Sequence, residues 1–425
     1  MKIKTKKVTL EELKQIKPYS HFKPVRRSLI LKGLIRVLSI PTLKKLKFKY
    51  NTYNMENVNP KEPHLIVMNH TCFADMKIAF KMLRKFKFNI VSTDDGFIGK
   101  KLLMKHIGCI PTRKYSADVN LVKDMMYAVK KLKSSILIYP EACYTFDGTS
   151  TVLPESFGKF IKLLNIPVIS IITHGTFFFD PLYNNLQYRK AHGFADMKYL
   201  LSKDDIKNKT IDEINNIINN EFNFDQFKWQ QENNVIINEP FRADYLHKIL
   251  YKCPHCLAEN KTIGKGITLT CTNCNNTYEL TENGYLKNIS GNDTIFDHIP
   301  TWNAWQRNCV KEEILNNTYL LDEDIDLYAI KNFKTVYEIG RAHLKQTKDE
   351  LVLTDNNGNH LFTQPMKSLY TLNTDFHWYQ IADTICIGNE EVRYYCAFKN
   401  HQNYVSKARM ATEENFKLNK KIESN

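Results

Sequence analysis

The feature that most constrains this chain is a rhythm between residues 63 and 245, where short, buried-looking apolar runs alternate with segments of helical periodicity. HLIVMN (64–69), NIVST (89–93), SILIYP (135–140) and PVISIIT (167–173) have the length and β-branched content of interior strands. MKIAFKMLRKF (76–86) and the stretch 118–133 have helical spacing. Strands that are separated by helices do not close as hairpins. They pair as parallel neighbours joined by crossovers, so residues 51–245 predict an α/β domain with a mainly parallel sheet.

The rhythm stops at CPHC…CTNC (253–274), which sets off a small module over 246–290. PTWNAWQRNCVKEEILNN (300–317) predicts a helix inside a linker, 291–318. Residues 319–425 predict an all-β module closed by a charged helix over about 404–421, with an Asn357–Gly358 turn marking one hairpin. Trp378 and Tyr394 are its expected core aromatics, and in outline it resembles a pleckstrin-homology-type barrel, a statement about shape alone.

The net charge of +15 is not spread evenly. Residues 1–50 hold 15 Lys and Arg against two acids, Glu11 and Glu12, while the other 375 residues are nearly neutral. A basic arm of this kind seeks an anionic surface, phospholipid or nucleic acid. Residues 24–40 predict a helix ended by Pro41, with Ile30, Leu34, Val37 and Leu38 on one face, Lys32 and Arg36 roughly opposite, and Arg26 and Arg27 at its start. That pattern fits either an amphipathic helix packed on its own domain or an interfacial helix on lipid, with an expected location on the cytoplasmic face of the cell membrane, and disfavours a nucleic-acid arm, which would interleave aromatics or run rich in Arg. No run of about 18 apolar residues predicts a membrane span, and no apolar segment follows the basic start as a secretory leader would need.

Chemistry concentrates at Asn69-His70-Thr71-Cys72-Phe73-Ala74-Asp75. On a single helix, residues five apart point about 140° away from each other. His70 and Asp75 therefore meet only if His70 sits at the strand-to-helix turn and Asp75 in the helix. That turn opens onto the crevice at the carboxyl ends of the strands. Imidazole is neutral and basic near pH 7, and a carboxylate on its far nitrogen fixes the tautomer.

With NHTCFAD the chain resembles the glycerolipid and lysophospholipid acyltransferase family, which includes 1-acylglycerol-3-phosphate acyltransferases. Three further blocks of that family follow in order: GCIPTR, with Gly108 and Arg113; YPEACYTFDG, with Pro140, Glu141, Thr145, Asp147 and Gly148; and IPVISI, with Pro167. The resemblance implies an O-acyltransferase in which His70 takes the proton of an acceptor hydroxyl and Asp75 orients His70. It further implies that Arg113 holds an acceptor phosphate, with Gly108, Glu141 and Thr145 forming the substrate site. Glu141 would position the hydroxyl, or else serve as a carboxylate bonded to backbone amides. The donor would be acyl-CoA or acyl carrier protein. The acceptor would be a lysolipid, first of all 1-acylglycerol-3-phosphate, otherwise another lysophospholipid or a glycolipid. The chain departs from the family in its third block, where Ala142, Cys143 and Tyr144 stand in place of Gly, Thr and Arg, so part of the expected phosphate clamp is missing.

Cys253, Cys256, Cys271 and Cys274 form two CxxC pairs with 14 residues between them. That spacing predicts a zinc ribbon whose four thiolates close the tetrahedron, leaving a structural metal with no open position for catalysis. A zinc-ribbon nucleic-acid binder with an inactive α/β domain is the competing reading from another class.

Overall fold

The computed structural model describes residues 3–56, 58–113, 119–398 and 403–423. It divides into two compact units. One comprises Ser20–Pro181 and Tyr188–Val235, and the other Met1–Tyr19, Leu182–Gln187 and Ile236–Asn425.

The first unit carries seven strands: β1 (Lys49–Tyr53), β2 (Leu65–Met68), β3 (Phe88–Thr93), β4 (Cys109–Thr112), β5 (Ser135–Ile138), β6 (Val168–His174) and β7 (Phe194–Leu201). They lie in the order β1-β7-β6-β2-β5-β3-β4. Five neighbouring pairs are parallel, and β6 with β7 is antiparallel, so the sheet is a mixed one. The antiparallel pair arises because a long connection, residues 175–193, with 3-10 turns at Thr176–Phe178 and Leu182–Asn184 and no crossover helix, joins β6 to β7. Leu65, Ile66, Val67 and Met68 of β2 are fully buried, as expected for a central strand covered on both faces.

The helices of this unit are α1 (Leu29–Lys45), α2 (Asp75–Met82), α3 (Lys101–His106), α4 (Val119–Lys130), α5 (Phe157–Leu164), α6 (Lys203–Asn208), α7 (Ile211–Glu221) and α8 (Gln226–Glu232). Phe157, Ile161 and Leu164 of α5 and Ile214 and Ile218 of α7 pack with Leu65, Val67 and Ile136 of the sheet in one apolar cluster.

The N-terminal segment differs from the sequence expectation in three ways. First, the helix starts at Leu29, with the Ser28 hydroxyl accepting from the Leu31 amide, and runs through Pro41 to Lys45. Proline removes one hydrogen bond from a helix, and here the remaining ladder continues past it. Second, Arg27 does not reach outward. Its guanidinium lies 4.8 Å from the Phe80 ring and 4.1 Å from the Phe88 ring and donates to the Phe86 carbonyl, and burial lowers its pKa to about 10. Arg36 likewise donates to the Arg84 carbonyl. Third, the arm is not one piece, because strand Thr5–Lys7 pairs in parallel with Val336–Glu338 in the second unit. The face expected to be apolar is exposed, with Ile30 at 83% and Val37 at 63%. Among the described residues, no helix is long and apolar enough to cross a membrane.

The second unit contains two β structures. Thr262–Lys265, Thr268–Cys271, Thr277–Leu280 and Leu286–Asn288 form a four-stranded antiparallel sheet in sequence order. The other has seven strands from Leu321–Ile330 to Arg393–Phe398, with the strand Thr5–Lys7 at their side. The hairpin of Glu350–Asp355 and His360–Pro365 turns at Asn357–Gly358, where Gly358 has φ +81°. Trp378 is buried and stacks on Tyr395 at 4.1 Å. Helices Ile299–Leu315 and Tyr404–Glu423 pack together, and Lys407 bridges Glu259 and Glu313.

Candidate active site and metal site

β2 ends at Met68, and the next two side chains turn to different tasks. Asn69, fully buried, clasps β6: its amide donates to the Thr173 carbonyl at 3.0 Å, and its oxygen accepts from the Thr173 amide at 2.8 Å and hydroxyl at 2.9 Å. Gln226 extends the clasp, donating to the same carbonyl and accepting from the Gly175 amide. Gly175, at φ +69°, has no room for a side chain, since a Cβ there would lie 2.2 Å from the His192 carbonyl oxygen.

His70 follows at the turn, and Asp75 opens α2. His70 Nδ1 lies 2.8 Å from Asp75 Oδ2, with side-chain exposures of 18% and 2%. The same oxygen accepts from the amides of Thr71 at 2.8 Å and Cys72 at 3.2 Å. Loop 71–74 therefore wraps the carboxylate at a helix start, where the helix dipole favours negative charge. Nδ1 is the donor to that carboxylate, which leaves the Nε2 lone pair as the basic site. Burial and the nearby Asp75 and Asp180 push the Cys72 thiol well above its usual range, so Cys72 is a neutral donor to Asp75 Oδ1. Thr71 adds hydroxyl contacts to Thr173 and Thr176.

The loop after β5 holds the backbone of His70. Glu141, fully buried, accepts from the His70 amide at 3.0 Å with Oε2 and from the Thr151 amide at 2.9 Å with Oε1. The Thr145 amide donates to the His70 carbonyl at 3.0 Å, and the Thr145 hydroxyl donates to the Thr149 carbonyl and accepts from the Gly148 amide. Glu141 thereby joins the His70 amide to the Thr151 amide of its own loop. Cys143 points its thiol at the Glu141 carbonyl.

The structure brings His70, Asp75, Glu141 and Thr145 together, and it sets Gly108 and Arg113 apart. Registers across the sheet put Cys109 level with Ile66, so Gly108 is level with Leu65 and roughly 16 Å along the strands from His70. Gly108 has φ +89° in the turn from α3 into β4, which gives it a backbone reason to be glycine. Arg113, just past β4, is at the height of His70 but three strands away, roughly 14 Å.

Several site residues carried no sequence signal of their own. Thr173 is a polar residue at the end of an apolar run, and Gln226 is remote in sequence. Asp180 is buried, accepts from the Phe73 amide at 3.2 Å, and has its pKa raised to about 7, mostly by burial and further by Asp75. Tyr139 and Tyr144 stack on His70 at 4.1 and 3.6 Å between ring centroids.

In the second unit, the Sγ atoms of Cys253, Cys256, Cys271 and Cys274 all lie within 4.8 Å of one another, a set that can hold a metal ion. Cys253 and Cys274 are 3.6 Å apart and Cys256 and Cys271 3.7 Å, close to the roughly 3.8 Å edge of a tetrahedron with metal–sulfur bonds of about 2.3 Å. All four are free thiols, and Asn276 donates to Cys274 Sγ. His255 faces Tyr278, not the sulfur cluster.

Comparison with known proteins gives one family model, described as Acyltransferase, which matches residues 49–206. No curated protein sequence matches the chain. Among solved structures, the crystal structure of the 1-acyl-sn-glycerophosphate acyltransferase PlsC from Thermotoga maritima aligns with 45% of this chain and 78% of that one, at 13% identity and a TM-score of 0.33. A score that low carries no argument about this chain. The segment that matches the Acyltransferase model, residues 49–206, contains β1 to β7, His70, Asp75 and Glu141.

Proposed function

We propose that this protein is an O-acyltransferase that moves a fatty acyl group from a thioester, acyl-CoA or acyl carrier protein, to a lysolipid hydroxyl. The observation that carries this reading is His70, fixed through Nδ1 by Asp75 and through both its amide and carbonyl by the Glu141–Thr145 loop. Nε2 of such a histidine takes the proton from the acceptor O–H as the oxygen attacks the thioester carbonyl. The tetrahedral intermediate collapses with cleavage of the C–S bond, and the imidazolium returns its proton to the departing thiolate.

The first acceptor to test is 1-acylglycerol-3-phosphate, giving phosphatidic acid, with Arg113 on the phosphate. A different lysophospholipid or a glycolipid is the second reading. It is favoured by the place of Tyr144, whose ring lies on His70 where the family's third block offers a cation. Membrane-surface work is supported by the exposed Leu29, Ile30, Val37 and Leu38 of α1, a face suited to burial in an interface without spanning it. Zinc, held by the four cysteines, would supply folding energy to a small antiparallel sheet and no chemistry.

The test is a matrix of purified protein with oleoyl-CoA and oleoyl-acyl carrier protein against 1-oleoylglycerol-3-phosphate, other lysophospholipids and a monoglycosyl lipid, read by mass spectrometry. His70→Gln should abolish product while circular dichroism stays unchanged. Near-normal transfer by that variant would sink the proposal.

A further inference from the structure

The column of rings around His70 has a consequence for how the imidazole is held. The Tyr139 ring is 4.1 Å from it and inclined by 22°, and the Tyr144 ring is 3.6 Å from it and inclined by 28°. Centroids this close leave no room for two rings side by side on one face, because carbon atoms in contact stay about 3.5 Å apart. The two tyrosines therefore take opposite faces. Phe73, 52% exposed, stacks on the outer side of Tyr144 at 5.1 Å and 10°. The order Phe73, Tyr144, His70, Tyr139 runs from solvent inward.

The hydrogen bond to Asp75 holds one edge of the imidazole, and it restrains the ring's tilt only as tightly as a single hydrogen-bond angle does. Torsions from sp³ carbon to a planar ring are broad, so histidine does not resist that tilt by itself. Two flat rings, one on each face, do resist it, and they keep the Nε2 edge aimed in one direction. We infer that Tyr139 and Tyr144 are positioning residues that clamp the imidazole of His70 from both faces. The inference rests on the reading of His70 as the base. It assigns a use to Tyr144, the residue that departs from the family's third block. The Tyr139 hydroxyl is buried and makes no hydrogen bond among the described residues, so what Tyr139 supplies is its ring face.

The test has one arm that needs no substrate. In protein with labelled histidine, the carbon-bound ring protons of His70, identified among the 13 histidines by their loss in His70→Gln, should resonate upfield from the ring currents of two stacked tyrosines. Tyr144→Leu should move them downfield, and Tyr144→Phe should restore the wild-type position. Unshifted His70 protons in the wild type, or no response to Tyr144→Leu, would overturn the clamp whether or not His70 is the base. The second arm is kinetic, with oleoyl-CoA and the acceptor that gives product in the matrix above. Tyr144→Leu should lower kcat by roughly 3- to 10-fold, the size of one lost ring contact, with KM changed less than twofold, and Tyr144→Phe should recover most of the loss. A raised KM at unchanged kcat would make Tyr144 a substrate contact instead. Tyr139→Leu should lower kcat as Tyr144→Leu does, and Tyr139→Phe, which keeps the ring, should recover most of the loss. Loss of kcat in Tyr139→Phe would place the hydroxyl in the reaction and overturn its role as a ring clamp. Wild-type activity in His70→Gln, beside upfield His70 protons in the unmutated protein, would remove the function and leave the geometry standing.

Discussion

Glu141→Gln separates two roles that a buried acid in this loop can have. Glu141 is fully buried and spends one oxygen on the His70 amide and the other on the Thr151 amide. Hydrogen bonds to a charged group contribute about 1.5–3 kcal/mol each, against about 1 kcal/mol for a neutral pair. Glutamine keeps one acceptor oxygen, so one bond falls to the neutral value. Its NH₂ then faces the other amide donor, leaving a buried donor without an acceptor at about 1–3 kcal/mol. The expected cost is about 1.5–5 kcal/mol. In a unit of this size each kcal/mol moves the midpoint by about 2–4 °C, so the first unit should melt roughly 3–20 °C lower. Activity should fall as well, because the loop that holds the His70 backbone loses one bond and keeps a weaker one. Thermal melts by circular dichroism, read beside kcat at a temperature where the variant is folded, check both. A variant that melts within 2 °C of the wild type yet is inactive would refute this reasoning and put Glu141 on the substrate.

Further outcomes follow from the same geometry. Asp75→Asn turns an amide toward His70 Nδ1, favours the wrong tautomer, and should lower kcat by about 10⁴, as the matching change does in a serine-protease triad, with KM little changed. Ala142 is exposed with φ +57°, where a Cβ is strained, so Ala142→Gly should raise stability by about 0.5–1 kcal/mol, seen as a higher melting midpoint. Asp180 has a folded pKa of about 7 against an ordinary 3.8, so the folded state holds its proton longer than the unfolded chain does. Stability should therefore decline as pH rises from about 4 to 7 and level off above, by at most roughly 4 kcal/mol. Asp180→Asn, which keeps an acceptor for the Phe73 amide, should flatten that decline, and melts at pH 5 and 8 will tell. Metal analysis should find one zinc per chain, and Cys271→Ser should lose it together with the slow amide exchange of the sheet 262–288; an unchanged metal content would exclude the four-cysteine site.

Tertiary structure also changed the meaning of residues that the sequence had marked. Gly108 belongs to a turn at the far end of the sheet, Arg113 stands three strands from His70, and Arg27 lies over Phe80 and Phe88. None of these placements follows from local pattern, because each depends on strand order, and alternation of strands with helices fits many orders.

What the sequence determined by itself is local. Apolar period and length marked the strands near 65, 89, 135 and 168 but not Lys49–Tyr53, Cys109–Thr112 or Phe194–Leu201, the turn after HLIVM put His70 and Asp75 within reach, and two CxxC pairs brought four sulfurs together. What the tertiary structure decided is everything that joins distant segments. Glu141 turns to the His70 backbone, Asn69 clasps Thr173, and Tyr139 and Tyr144 close on the imidazole because β5 and β6 flank β2. Periodicity records which side of a strand is buried, and only the packed sheet records which strand lies beside it.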